Sequence, residues 1–374
     1  MRITRIDSFP LRYADTNDFG REKSTLLVRV TAAGGTEGWG EGVTLAPEAT
    51  KAARVLVDEG FAPALMAAGE IDTARAWDLM RAHSWWYGEG GIASIALSAL
   101  DMALWDITAK EAGQPLYAAL GGRRVKGLPA YASSHVNKAT LDENVAEVVG
   151  FRAAGFAGVK LGMGKKGLSD VGRNPETDVE FVRLLREALG PDFPILIDAG
   201  NGVVWSRETA IRTVSRMAEH GIGWIEEPFY PTRIEDYRAL KAAVQVPIAS
   251  GEREYTVSGY QRLIETGTVD VLGVDPARSE GVTGFARVDA LCGAAGVVMN
   301  AHAWSTGVLT SASLHLSEAS ANTRLFELKP FAVSVQQELV DRPIWHEGGQ
   351  VTAPELPGLG LNVDLAVLKR LALE

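Results

Sequence analysis

Six short apolar stretches of the chain each end on an ionisable residue: ILID at Asp198, GWIE at Glu226, PIASGE at Glu252, LGVD at Asp275, VVMNAH at His302 and RLFE at Glu327. Asp198, Glu226 and Glu252 stand on three consecutive stretches. Three carboxylates aimed at one point repel one another unless protons or a cation occupy that point. An oxygen-only set suits Mg2+, which keeps waters and takes a further carboxylate from a substrate, better than it suits zinc. Asp275 and His302 end the next two stretches, and an aspartate beside an imidazole orients the ring and raises its basicity. His302 therefore reads as a general base near neutral pH. Lys160, in GVKLG, can pair with a substrate carboxylate or with a metal ligand, and Glu327, if protonated, can donate a hydrogen bond to a developing oxyanion. A cation, a lysine and a histidine base around one carboxylate suit removal of the proton alpha to it. The resulting enediolate carries charge that exists only late in the step, where such groups stabilise it.

These residues share a site only if the chain brings their strand ends to one face. Their numbers differ by 28, 26, 23, 27 and 25, which fits one strand, one helix and two loops per repeat. Parallel strands with helices between them emerge at one face, and in a closed barrel that face carries the chemistry. Candidate strands at 128–133, 158–161, 195–198, 223–226, 248–251, 271–275, 297–300 and 325–328, with helices such as 177–189 and 208–220, predict an α/β fold. Its form is a (β/α)8-type, modified TIM, barrel.

The first third reads differently. Residues 2–9, 24–31 and GWGEG alternate as an antiparallel meander, and 46–67, 71–83 and 92–112 carry helical patterns. Between the first two strands, Tyr13 to Arg21 reads as a polar surface loop. Asp101 and Asp106 inside the last helix read as structural carboxylates, and Trp85, Trp86 and Tyr87 as packing between helices. The chain thus divides into an N-terminal α+β capping domain at 1–125, a barrel at 126–325, and a segment at 326–374 holding the last strand and packing back on the cap.

Composition narrows the partners. Hydrophobic residues make up 46% and charged ones 22%, a balance expected of a soluble globular protein. No uncharged apolar run of about 18 residues is evident to span a membrane, and no signal peptide is evident, so a cytoplasmic location is expected. A single cysteine, Cys292, excludes an internal disulfide and a thiolate zinc cluster. A net charge of -10 argues against nucleic acid as a partner.

Taken together, GWGEG, SALDMALWDITAKEAGQPLYAALGG, IDAGNG, WIEEP, VDPARSEGVTG and AHAWSTG resemble the enolase superfamily, in its mandelate racemase subgroup, over nearly the whole chain. The resemblance implies Mg2+ on Asp198, Glu226 and Glu252, a base dyad at Asp275 and His302, and Glu327 hydrogen-bonded to the enediolate. It also implies a homo-oligomer. Glu226, not Glu227, matches the ligand. Two positions depart from the subgroup. The usual Lys-x-Lys is here Lys160-Leu161-Gly162, so the second base is missing, with Lys165 and Lys166 following beyond a Gly-rich loop. The usual Asp-x-Asn is Asp198-Ala199-Gly200, which moves the nearest amide to Asn201.

Racemisation by two opposed bases needs the group that Gly162 lacks, whereas dehydration manages with one. The expected reaction is therefore dehydration of an acid sugar to a 2-keto-3-deoxy acid. The alternative is a cycloisomerase acting on a sugar-acid lactone or anhydro sugar acid; a racemase or a non-catalytic binding protein comes behind both. Expected substrate contacts are Asn201, Trp304, His135 and Tyr13, with the loop 13–21 and the 85–87 aromatics shaping selectivity.

Overall fold

A computed structural model describes residues 1–164, 169–200, 202–331 and 333–373. The chain opens on an antiparallel sheet of β1 (Ile3–Asp15), β2 (Arg21–Ala32) and β3 (Glu37–Val43), in that order. Helices α1 (Pro47–Val55) and α2 (Ala62–Ala67) continue one another through a wide turn at Leu56–Phe61, and α3 (Thr73–Ser84), α4 (Gly91–Glu111) and the short α5 (Leu116–Ala119) follow. The GWGEG run owes its glycines to α4. A Cβ at Gly38 or Gly40 would come within 2.1 Å of Ala103 O or 2.0 Å of Ala99 O, so only glycine lets β3 lie on the helix backbone.

By length and mean hydropathy α4 is the one described helix that could cross a bilayer, but Asp101 and Asp106 interrupt it, so the expectation of no uncharged apolar run of about 18 residues stands. Its surface is instead spent inside the protein, against β2, β3 and, through Asp101, the N-terminus of a barrel helix. There Asp101 accepts from Thr283 N and Oγ1, and Asp106 accepts from Trp39 N, Leu359 N and Lys110, so both acids are structural as expected.

The barrel follows as strand and helix in alternation: β4 (Leu128–His135), α6 (Leu141–Ala153), β5 (Gly158–Gly162), α7 (Pro175–Leu189), β6 (Ile195–Asp198) and α8 (Arg207–Ala218). It continues with β7 (Trp224–Glu226), α9 (Ile234–Ala243), β8 (Ile248–Ser250), α10 (Val257–Glu265), β9 (Val271–Val274) and α11 (Gly281–Ala295). Last come β10 (Val298–Ala301), α12 (Gly307–Ala319) and β11 (Phe326–Leu328). Side chains cap several helix starts, with a full capping box between Thr140 and Glu143 at α6. The strands pair in parallel in the order β10-β9-β8-β7-β6-β5-β4-β11. Between β10 and β11 the barrel closes through a single parallel bridge, Met299 to Thr323.

The segment after β11 holds α13 (Ser334–Gln337), β12 (Gln350–Val351), which pairs antiparallel with β4, and α14 (Leu365–Arg370). Its end returns to the first strand, where Arg12 N donates to Leu371 O and Leu373 N to Pro10 O.

Two expectations need correction. Residues 13–21 are a surface loop only in part: β1 runs on to Asp15 and β2 begins at Arg21, and in the turn between them Asn17 and Asp18 are buried while Phe19 is exposed. Nor do the aromatics 85–87 pack in a core. Trp85, Trp86 and Tyr87 are 66%, 79% and 52% exposed, because they fall after α3 in a turn rather than on its buried stripe.

Candidate active site

Side chains alternate across each barrel strand. On β4, Tyr131 lies in the inner plug with Leu196, Trp224, Ala249 and Val271, and Ser133 Oγ donates to Glu327 Oε1 at 2.7 Å. His135 therefore faces inward as well. Strand register sets His135 beside Gly162, Gly162 beside Asp198 and Asp198 beside Glu226. Above this layer lies a cavity of about 480 Å3, whose wall includes Lys160, Asp198, Glu252, His302 and Glu327. The spacing of the six stretches thus brings Asp198, Glu252, His302 and Glu327 to one cavity, with Glu226 against Lys160 and Asp275 against His302.

His302 Nδ1 lies 2.8 Å from Asp275 Oδ2, while Nε2 is 3.4 Å from Glu252 Oε2 and 4.0 Å from Glu327 Oε2. The aspartate fixes the ring and leaves Nε2 toward the cavity. Burial opposes charge on this ring, but Glu327, Asp275 and Glu252 outweigh it and hold His302 above the usual imidazole range. Lys160 Nζ is 2.9 Å from Glu327 Oε1 and 3.4 Å from each carboxylate oxygen of Glu226. It also stays charged against its burial, through those two acids.

Glu327 differs from expectation. Burial would raise it, yet Lys160, His302 and the Ala303 N–H, which donates to Oε2 at 2.9 Å, bring it down to about 2. Ringed by Lys160, Ser133 and the Ala303 N–H, it is held as an ionised acceptor.

The acids at the ends of β6, β7 and β8 suit a cation by their chemistry. Asp198 is 4% exposed and Glu226 5%, and both offer only oxygen. Burial and the charge of Glu252 raise Asp198 to about 6, and burial with Asp198 and Glu252 raises Glu226 against the pull of Lys160. Carboxylates strained in this way are the ones a hard divalent ion relieves. Among the described residues, no three acid, histidine or cysteine side chains are drawn into a closed ligand set. The carboxylates turn instead to the donors at hand: Asp198 Oδ1 accepts from Gly200 N at 2.8 Å, Glu226 Oε2 from Trp224 Nε1 at 3.2 Å, and Glu252 faces the His302 ring. Glu227, with φ of 42°, turns away to Arg253.

The four expected substrate contacts separate. Trp304 and His135 line the cavity, their rings 5.4 Å apart. Tyr13 is 3% exposed and stands behind the wall, against Lys329, because β1 is still a regular strand there and turns this side chain into the core. Asn201, Lys165 and Lys166 lie outside the described residues. Gly162 leaves its strand end bare, and Gly200 lines the cavity, where a Cβ would stand 3.1 Å from Asp198 Oδ1.

The sequence reading named the stretch 13–21, whose Asp18 and Arg21 line the cavity, but missed Lys23 and Arg278. Arg278 spans Glu252 O at 2.9 Å and Asp275 Oδ2 at 3.4 Å, and it stands three residues after Asp275, the one signal that could have shown it. It also missed Lys329, which follows the end of β11 directly and is buried. Behind Trp304, Asp15 accepts from Lys23 Nζ at 2.8 Å and Trp304 Nε1 at 3.2 Å, with Lys329 Nζ at 3.8 Å.

Residues 143–367 match the family model described as enolase C-terminal domain-like, and residues 8–121 match that of the mandelate racemase / muconate lactonizing enzyme N-terminal domain. D-galactarolactone cycloisomerase of Agrobacterium fabrum is 30% identical over 91% of this chain and 89% of its own. Arabinonate dehydratase of Saccharolobus solfataricus is 27% identical over 96% of each. Among solved structures, a racemase from Streptomyces coelicolor A3(2) with bound magnesium superposes with a TM-score of 0.87 at 25% identity, over 99% of this chain and 100% of that one.

Proposed function

The chain belongs to the enolase superfamily, in the mandelate racemase / muconate lactonizing enzyme family, and from that premise we propose that it dehydrates an acid sugar to a 2-keto-3-deoxy acid with His302 as the base. Its curated relatives include acid-sugar dehydratases and cycloisomerases, so the superfamily's lyase and isomerase chemistry bounds the choice. The observation that carries the reading is the His302 ring, oriented by Asp275 at 2.8 Å and opening on the same cavity as Asp198, Glu252 and Lys160.

Asp198, Glu226 and Glu252 would hold Mg2+, which supplies positive charge for the substrate carboxylate and for the enediolate that forms from it. His302 Nε2 takes the alpha proton. Asp275 keeps Nδ1 as the protonated nitrogen, so the lone pair stays on the cavity side. Lys160, charged and buried at the same wall, adds a second cation where the carboxylate gains negative charge. Glu327 orients Lys160 and, through Ala303 N, the backbone next to the base. Gly162 offers no group on its strand for a proton transfer to the other substrate face, which supports elimination over racemisation.

A second reading, a cycloisomerase in which a ring oxygen is the leaving group, rests on the 30% identity to the galactarolactone enzyme. One screen separates the two. The Mg2+-loaded protein is offered aldonates, aldarates, lactones and anhydro sugar acids, and 2-keto-3-deoxy product is read by a carbonyl assay with His302→Asn as control. Reaction of open-chain acids alone supports dehydration, and reaction of cyclic acids alone replaces it with cycloisomerisation.

A further inference from the structure

Elimination beta to a carboxylate needs two proton transfers, one from the alpha carbon and one to the departing oxygen. The cavity wall carries a second imidazole besides His302. His135 ends β4, and the alternation that buries Tyr131 and Ser133 inside the barrel turns His135 toward the same space. Its backbone is fixed from the cap, where His135 N donates to Asn17 Oδ1 at 2.9 Å and Asn17 Nδ2 donates to Ser134 Oγ at 3.1 Å. Its ring leans on Trp304.

The register places this imidazole level with Gly162, Asp198 and Glu226. Neighbouring strands stand about 4.8 Å apart, so about 10 Å of sheet separates the His135 and Asp198 backbones, with only Gly162 between them. That gap is wide enough for the first carbons of a sugar acid whose carboxylate lies at the Asp198 end. Among the described residues on the wall from β4 to β6, the basic side chain besides His135 is Lys160, which is engaged by Glu226 and Glu327. An imidazole both holds and releases a proton near neutrality.

We propose that His135 is the catalytic acid for the leaving oxygen, which divides the reaction between two histidines; the assignment rests on the alpha-proton chemistry proposed above. His302 Nε2 takes the alpha proton, and the C–H electron pair moves into the enediolate. That pair then forms the bond between the alpha and beta carbons as the beta C–O bond breaks, and the departing oxygen takes a proton from the His135 ring. It leaves as water from an open-chain acid, or stays as a new hydroxyl when the bond belonged to a ring. The enol becomes the 2-keto acid when His302 returns its proton to the beta carbon and the enol O–H proton goes to His135. No net proton is consumed.

The test compares His135→Gln with His302→Asn in the Mg2+-loaded protein, using the best acid sugar from the screen and two readouts in D2O: alpha-proton exchange by NMR and keto product. For His135→Gln, product formation falls about 100-fold or more, the usual span for losing general acid catalysis, while alpha exchange stays within about threefold. His302→Asn loses both. A 3-deoxy-3-fluoro analogue gives the positive control for folding, since fluoride departs without a proton, and His135→Gln turns it over within about threefold of the parent. Unchanged product formation in His135→Gln overturns the assignment, as does a loss that the fluoro analogue does not restore. If the parent protein exchanges no alpha proton in any acid, the base chemistry itself fails, and the role of His135 with it.

Discussion

The floor and the roof of the cavity are both built from buried charge, and they balance it differently. In the floor, Asp198, Glu226, Glu252, Asp275 and Glu327 face Lys160, Arg278 and the His302 ring. In the roof, Asp15 and Asp18 face Lys23 and Lys329, with Lys23 at 2.8 Å and 3.4 Å from the two acids. One residue type shows the contrast. Asp198 is raised by burial and a neighbouring acid, whereas the two lysines hold Asp15, at least as deeply buried, well below the usual carboxylate range in spite of its burial. The floor is short of positive charge and is therefore arranged to receive some. The roof is complete without a ligand, and its work is to hold Trp304 and Lys23 as walls.

The comparison breaks first at the base. His302→Asn is expected to lower turnover by about 10^3- to 10^4-fold while the fold is kept, since it removes the proton acceptor and leaves a neutral isostere. Steady-state rates beside circular dichroism check this, and a loss under tenfold would remove His302 from the chemistry. The roof should respond the other way, in stability. Asp15→Ala leaves Lys23 and Lys329 buried without their shared acid and is expected to cost about 3 kcal/mol, the lower end for breaking a buried pair. Urea unfolding measures it. KM is expected to rise more than kcat falls, because the walls loosen while the base stays in place.

Most of the floor was legible in the sequence, and little of the roof was. The floor residues sit at strand ends repeating every 23 to 28 positions, so one period carries them all to one face. The roof is made by contacts between distant segments: Asp15 from β1, Lys23 from β2, Trp304 after β10 and Lys329 after β11. No local pattern relates them. The polar run 13–21 looked like a loop because Asp15, Asn17 and Asp18 favour turns and exposure, and only tertiary partners make their burial tolerable. The state of Glu327 was hidden for a similar reason, since its ionisation depends on Lys160 and the Ala303 N–H, neither of which its neighbours in sequence reveal.

Metal binding sharpens the contrast. If the floor lacks positive charge, Mg2+ stabilises the folded protein, by about 2.7 kcal/mol at a hundred times its Kd. Asp198→Asn is expected to abolish that gain in thermal unfolding and to leave the metal-free protein no less stable than the parent, because it relieves repulsion with Glu252. A metal-free variant markedly less stable than the parent would mean that the floor is already balanced.

The smallest effect concerns Lys329, which is 1% exposed and stacked over Trp304 at 4.6 Å. Burial draws it down to about 8, against the opposing pull of Asp15. Lys329→Met keeps the volume and leaves Asp15 its bonds from Lys23 and Trp304, so stability at pH 7 should change by less than about 1 kcal/mol. The two proteins should part as the pH rises. Between about 8 and the unfolded lysine value of about 10.4, the unfolded chain holds a proton that the folded protein has lost. Folding releases that proton, so raising the pH through this window favours the parent. The stability difference, parent minus Lys329→Met, should therefore climb from pH 8 to pH 10 in urea titrations. A flat difference would show that Asp15 keeps the ammonium fully charged, and that the roof is held by an ion pair as strong as any in the floor.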